Sequence, residues 1–137
     1  MPAQYLLDTN ICIYIQRRNP PEVLNRFKKL KPGEAMISVI TWGELLYGAE
    51  KSVYRLDALR TLKEFAALIP VAQMTEDVGH AYGIIRAELE SIGQPIGNND
   101  LWIAAHAKAY GLSLVTNNER EFRRISDLNV LNWVAGK

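Results

Sequence analysis

At 137 residues, with 48% hydrophobic and 23% charged, the chain has the size and balance of one globular domain with a single core. No stretch reaches the ~18 apolar residues of a membrane span, the first twenty residues carry Asp8 and no basic leader region, and a lone cysteine, Cys12, excludes an intrachain disulfide scaffold. A single domain over residues 1–137 in a reducing cytoplasm is the expectation, and a net charge of +1 announces no polyanionic partner.

Short strand-like runs alternate with longer helical ones. Tyr5-Leu6-Leu7 predicts a first strand ending at Asp8, followed by a short helix over Ile11 to Gln16. Pro20-Pro21 suits the first turn of a second helix whose Val23, Leu24, Phe27 and Leu30 share one face. Ala35-Met36-Ile37 predicts a second strand, and Ser38 or Thr41 can cap the helix that carries Glu44, Leu45 and Leu46. Leu56, Leu59, Leu62, Phe65 or Ala66, and Ile69 then recur at helical spacing, and Pro70-Val71-Ala72 suits a short edge strand. Thr75 opens a helix with Glu76 and Asp77 at its positive dipole end, a buried stripe of Val78, Ala81, Tyr82, Ile85, Leu89 and Ile92, and Gly93 as its stop. Asn98 or Asn99 caps an alanine-rich helix running to Tyr110, which Gly111 closes. Leu112 to Val115 is a clear strand, Thr116-Asn117-Asn118 a polar turn into a short helix, and Val130-Leu131 a last strand. Strands separated by helices predict an α/β fold: a mostly parallel sheet of four to five short strands flanked by helices.

Sites in such sheets form beyond the carboxyl ends of the strands. Asp8 follows the first strand, Glu44 lies in the helix after the second, and Asn117, Asn118 and Glu121 follow the strand ending at Val115. Asp100 joins them if the Gly97-Asn98-Asn99 turn lies at the same rim. Two carboxylates ~4 Å apart repel by ~4 kcal/mol at an effective dielectric of about 20, so one protonates or a cation sits between them. All-oxygen ligation suits Mg²⁺ or Mn²⁺ and the hydrolysis of phosphodiesters. His80 and His106 stand alone, which leaves no zinc set.

Each residue also has a plainer role open to it. Asp8 and Asp100 can serve as a helix cap and a dipole partner, and Glu121 as an exposed helical glutamate. Glu44 sits in the apolar run from Ile40 to Tyr47, where an unpaired charge is costly, so it carries more information. His80 and His106 suit structural or exposed positions, Trp42 and Trp102 suit packing, and Cys12 suits the core. The basic clusters at Arg17–Arg18, Arg26 to Lys31 and Arg120, Arg123 and Arg124 suit solvated helix faces, the last three also phosphate contacts beside the rim.

Four ordered blocks, together spanning nearly the whole chain, carry a resemblance. "LLDTNICI" resembles the opening of PIN domains, with Asp8 as the first acid. "ISVITWGELLYGAEKS" is similar to the segment of VapC toxins that holds the second acid, here Glu44. "RAELESIGQPIGNNDLWIAAHA" matches the stretch with the third, here Asp100, and "LVTNNEREFRRISDLNVLNW" resembles the C-terminal block. The resemblance implies a Rossmann-like PIN fold and an endoribonuclease dependent on Mg²⁺ or Mn²⁺; Asp8 and Asp100 are then expected to bind the metal directly, and Glu44 to complete its shell or orient the attacking water. It also implies a growth-arresting toxin restrained by a VapB-type antitoxin, a homodimer, operator DNA bound only through the antitoxin, and structured RNA such as tRNA as substrate. Many PIN domains place an Asp where this chain has Asn118, so Asn118 or Glu121 fills the fourth position. Thr9, Asn10, Ser38, Asn99, Thr116 and Asn117 are then expected to orient the carboxylates by hydrogen bonds.

Three competing functions follow from the same residues. A haloacid-dehalogenase-like phosphatase also begins with a strand and an Asp, but requires a second Asp where Asn10 stands. A PIN-fold module that binds protein without turnover, and a metal-dependent DNA nuclease, stay open. The region from Tyr54 to Ile69 is apolar enough to receive an antitoxin or a second protomer, or simply to pack.

Overall fold

Five short parallel strands, β1 (Tyr5–Leu7), β2 (Ala35–Ser38), β3 (Val71–Ala72), β4 (Ser113–Val115) and β5 (Val130–Leu131), form one sheet in the order β3-β2-β1-β4-β5. The computed structural model describes residues 3–134; Met1, Pro2 and residues 135–137 of the expected 1–137 domain lie outside them. Among the described residues seven helices connect the strands: α1 (Thr9–Arg17), α2 (Pro21–Lys28), α3 (Val39–Glu50), α4 (Arg55–Ala66), α5 (Glu76–Ser91), α6 (Asn98–Tyr110) and α7 (Glu119–Phe122). None of them is long and apolar enough to cross a membrane among the described residues.

Alternation along the central strands divides the core in two, because successive strand side chains point to opposite faces. Leu6 and Leu114 enter a cluster with Val78, Ile85 and Leu89 of α5 and Leu101, Ile103 and Ala104 of α6. Leu7 and Val115 enter the other, with Ile11 and Ile15 of α1, Val23 of α2, Leu45 of α3 and Leu62 and Phe65 of α4. The chain leaves β1 for β2 and β3 on one side, then returns to place β4 on the other. The junction of β1 and β4 is therefore the topological switch point, where ligands of open α/β sheets bind.

Every strand and helix expected from the periodicity is present, with local differences. Ser38 caps α3, its Oγ accepting the Ile40 N–H at 3.0 Å. The N-cap of α6 is Gly97 rather than Asn98 or Asn99, and no side chain closes that end. Asn98 instead uses its Oδ1 to accept the Tyr82 hydroxyl. Ile92, placed in the buried stripe of α5 by its spacing, is the C-cap residue beyond the last turn and is exposed. Leu56 is likewise exposed, in the first turn of α4. Gly93 and Gly111 adopt positive φ at the ends of α5 and α6, as helix-stopping glycines do. Tyr82 and Trp102 stack on each other with centroids 3.9 Å apart, and Trp42 packs against the second cluster, so both tryptophans pack as expected.

Candidate active site

Parallel register sets Leu7 beside Val115, so the residues that follow, Asp8 and Thr116, leave the switch point side by side. The Asp8 N–H donates to the Val115 carbonyl at 3.0 Å, which extends the pairing by one residue. One oxygen of the Asp8 carboxylate accepts the Ile11 N–H at 2.9 Å and caps α1. The other accepts the Thr116 hydroxyl. Asp8 is thus both the helix cap of the plainer reading and a buried carboxylate at the switch point, only 6% exposed. Burial pushes its carboxyl up to about 6, with the Glu44 charge adding to the rise, against the opposing donations of Thr116 and the Ile11 N–H.

Glu44 projects from the second turn of α3, half-buried, and its Oε1 accepts the Thr9 hydroxyl at 2.6 Å. Thr9 Oγ1 also lies 3.2 Å from Thr41 Oγ1. Since the single Thr9 proton is spent on Glu44, the geometry has the Thr41 hydroxyl donating to Thr9. Thr41 is fully buried and stands three residues before Glu44, on the same helix face. It went unnoticed as a site residue although that spacing was visible.

Asp100 comes from the first turn of α6 and faces the other three acids. Burial raises its carboxyl to about 6; next in weight come the charge of Glu121 and a hydrogen bond with it, then the charges of Asp8 and Glu44. Glu121, on the short α7, receives the Asn118 side-chain N–H at 2.7 Å. Asn118 in turn donates its backbone N–H to Thr116 Oγ1 at 2.9 Å. Asn118 and Glu121 are therefore partners: the amide braces the glutamate, and the glutamate presents the charge toward Asp100.

Among the described residues no group of three or more His, Cys, Asp or Glu side chains is arranged to hold a metal ion by itself. Asp8 and Glu44 are each held by their own hydroxyl donor, Thr116 and Thr9. The donor set remains oxygen-only and anionic, and two carboxylates held near 6 by burial and mutual repulsion are favoured by a neighbouring cation. Mg²⁺ normally takes one or two carboxylates and keeps several waters, so the arrangement fits such an ion without a protein-only cage.

Four of the expected orienting residues make no side-chain hydrogen bond to these carboxylates among the described residues. Ser38 Oγ bonds His106 Nδ1 at 2.6 Å and touches no carboxylate. Asn117 donates to the Tyr14 hydroxyl at 3.3 Å and accepts from Asn132, tying the β4–α7 turn to α1. Asn10 serves Asp8 through its backbone N–H, with its side chain exposed, and Asn99 is exposed. The bonds of Ser38 and Asn117 join segments far apart in sequence, which the linear order could not reveal. His106 is buried in that structural cluster and His80 is exposed. Burial pushes the Cys12 thiol well up, as for an inert core residue.

Of the basic trio, Arg123 pairs with Glu119 at 2.7 Å and Arg124 donates to the Pro95 carbonyl at 3.0 Å. Arg120 is exposed and has no partner among the described residues.

The family model for the PIN domain matches residues 5–128 of the chain. The chain is 44% identical over 131 residues to Ribonuclease VapC2 of Haemophilus influenzae, covering 96% of this chain and 98% of that protein. It is 42% identical to the tRNA(fMet)-specific endonuclease VapC of Shigella flexneri, covering 95% and 98%. Its fold is similar to the crystal structure of DNA-bound VapBC from Salmonella typhimurium, with a TM-score of 0.90 and 39% identity over 96% of this chain and 99% of that one.

Proposed function

Because the chain belongs to the PIN domain family and to its VapC ribonucleases, we propose that it hydrolyses RNA with a divalent cation held at the acidic rim of the β1–β4 switch point. It is the toxin of a toxin–antitoxin pair: its cutting of RNA arrests growth until a VapB-type antitoxin binds it. The full chain acts as a single PIN unit in the cytoplasm, as a homodimer, and reaches operator DNA only through the antitoxin. Transfer RNA is the substrate class, by likeness to the Shigella flexneri relative.

The observation that carries this reading is the convergence at one rim of Asp8, Glu44, Asp100 and Glu121, acids from four separated parts of the sequence, where burial and the neighbouring acids raise the Asp8 and Asp100 carboxyls. Asp8 and Asp100 offer oxygens to Mg²⁺ or Mn²⁺. Glu44, fixed by Thr9, completes that shell or orients the attacking water. Glu121, braced by Asn118, presents a fourth acid beside Asp100. A divalent ion bound there supplies Lewis acidity, which acidifies the attacking water and offsets charge on the departing oxygen.

The test is cleavage of labelled tRNA and of DNA of the same sequence by the purified chain, in chelator and with Mn²⁺ added back. Cutting of RNA only with Mn²⁺ supports the reading; RNA left intact at every Mn²⁺ concentration, or DNA cut in preference, overturns it.

Arg120 supplies a smaller prediction. As an exposed, unengaged cation on α7, it is the residue of the trio proposed to touch phosphate. Arg120→Ala is expected to weaken RNA binding about equally for all sequences and to reduce the salt slope by about 1. Arg123→Ala, which removes only the pair with Glu119, is expected to leave that slope unchanged. Filter-binding across a salt series reads both.

A further inference from the structure

The acidic rim has a mechanical problem. Glu44 and Asp100 sit on different helices, α3 and α6, and their charges push those helices apart. Something uncharged must hold the helices in place.

Six residues before Glu44 stands Ser38, and six residues after Asp100 stands His106, each about 9 Å along its helix from the carboxylate. Both are fully buried. Ser38 Oγ and His106 Nδ1 are 2.6 Å apart. His106 Nε2 lies 3.2 Å from the Gln73 carbonyl, which can only accept, so the ring proton is on Nε2 and Nδ1 is an acceptor. The Ser38 hydroxyl therefore donates to His106 while accepting the Ile40 N–H that starts α3. The Tyr110 hydroxyl, one turn further along α6, donates to the same Gln73 carbonyl at 2.8 Å. One neutral imidazole thus joins the β2–α3 corner, the segment after β3 and the middle of α6. Among the described residues it makes the only side-chain hydrogen bond between α6 and the start of α3.

We propose that His106 is a positioning residue for the metal site: through Ser38 it sets the distance between the helix that carries Glu44 and the helix that carries Asp100. This rests on the divalent-cation reading above. A ring that served the core alone would also have its nitrogens satisfied, but removing it would cost stability without changing the affinity for the ion; the affinity is what distinguishes the two roles.

The experiment titrates Mn²⁺ alone into the folded, full-length chain and its variants by calorimetry, with chemical denaturation of each. His106→Gln keeps a donor toward Gln73 and loses the Nδ1 acceptor. It is expected to weaken Mn²⁺ binding about tenfold, the usual order for groups that orient metal ligands. His106→Asn places an oxygen where Nδ1 stood and is expected to recover to within about threefold of the parent. Ser38→Gly, which keeps a nearly equivalent helix cap, should reproduce the loss and serves if His106→Gln does not fold. Tyr110→Phe, on the same helix, should change nothing. Ile85→Val, which weakens the core elsewhere, should lower stability with Mn²⁺ affinity intact. Parental affinity in His106→Gln and Ser38→Gly, or an equal loss in His106→Asn, overturns the positioning role. Absence of Mn²⁺ binding by the parent overturns the cation reading and the inference with it.

Discussion

Asp8→Asn is expected to lose metal-dependent RNA cleavage by a factor of about 10³ or more while unfolding no more easily than the parent. The loss follows from removing the most buried of the proposed ligand charges, worth several kcal/mol of charge stabilisation at about 1.4 kcal/mol per tenfold. The retained stability follows from the other bonds of Asp8. Asn is as good an N-cap as Asp, so α1 keeps its closure through the Ile11 N–H, and the Thr116 hydroxyl can accept from the new amide. Stability should even rise. The Asp8 carboxyl is held at about 6, above its ordinary 3.8, so the folded chain retains a proton that the unfolded chain has released. The cost of ionising this group in the fold is absent below the ordinary value, grows as pH rises from about 4 to about 6, and is then constant at up to about 3 kcal/mol. Denaturation of parent and variant without metal should therefore agree near pH 4, with the variant ahead at pH 7.5. A variant that still cuts RNA in Mn²⁺, or one much less stable than the parent at pH 7.5, would contradict the role given to Asp8.

Mn²⁺ is expected to raise the thermal midpoint at pH 7.5 by about 10 °C at a hundredfold excess over its dissociation constant, where binding adds about 2.7 kcal/mol. Asp8→Asn and Asp100→Asn should abolish the rise, because each removes a proposed direct ligand. Glu121→Gln should keep most of it, since Asn118 can still hold the amide in place and Glu121 acts beside Asp100. Below pH 6 the rise should shrink as protons compete for the raised Asp8 and Asp100 carboxyls. His106 adds a separate acid sensitivity: burial lowers its proton affinity, so its contribution to stability is present above its ordinary 6.5 and is lost as pH falls. Comparison with His106→Asn separates that loss from the carboxylates' effect. A midpoint indifferent to Mn²⁺ would remove the cation from the account.

Legibility differed by residue. Glu44 could be singled out because a charge inside an apolar helix needs a partner, and the partner is the Thr9 hydroxyl. Asp8 was legible from its place after a strand, though its double use, capping α1 and accepting Thr116, needed the parallel register of β1 and β4 to be known. Asp100 depended on where a loop would lie. Asn118 and Glu121 are bonded to one another, which their spacing of three did not show. Ser38 looked like an orienting residue for carboxylates because it follows a strand; its true neighbour, His106, lies 68 residues away in sequence.

What the sequence by itself determined is the layered α/β plan, its strands and helices in order, the family, and the four acids at strand ends or helix starts. Period-2 and period-3.6 patterns, capping residues and four ordered motif blocks are local properties, readable without any fold. What only the tertiary structure decided is pairing: which hydroxyl serves which carboxylate, and that two of three arginines are already engaged. Hydrogen bonds and charge interactions act over a few ångströms, and nearness at that scale between residues far apart along the chain exists only once the sheet has stacked its strand ends at one rim.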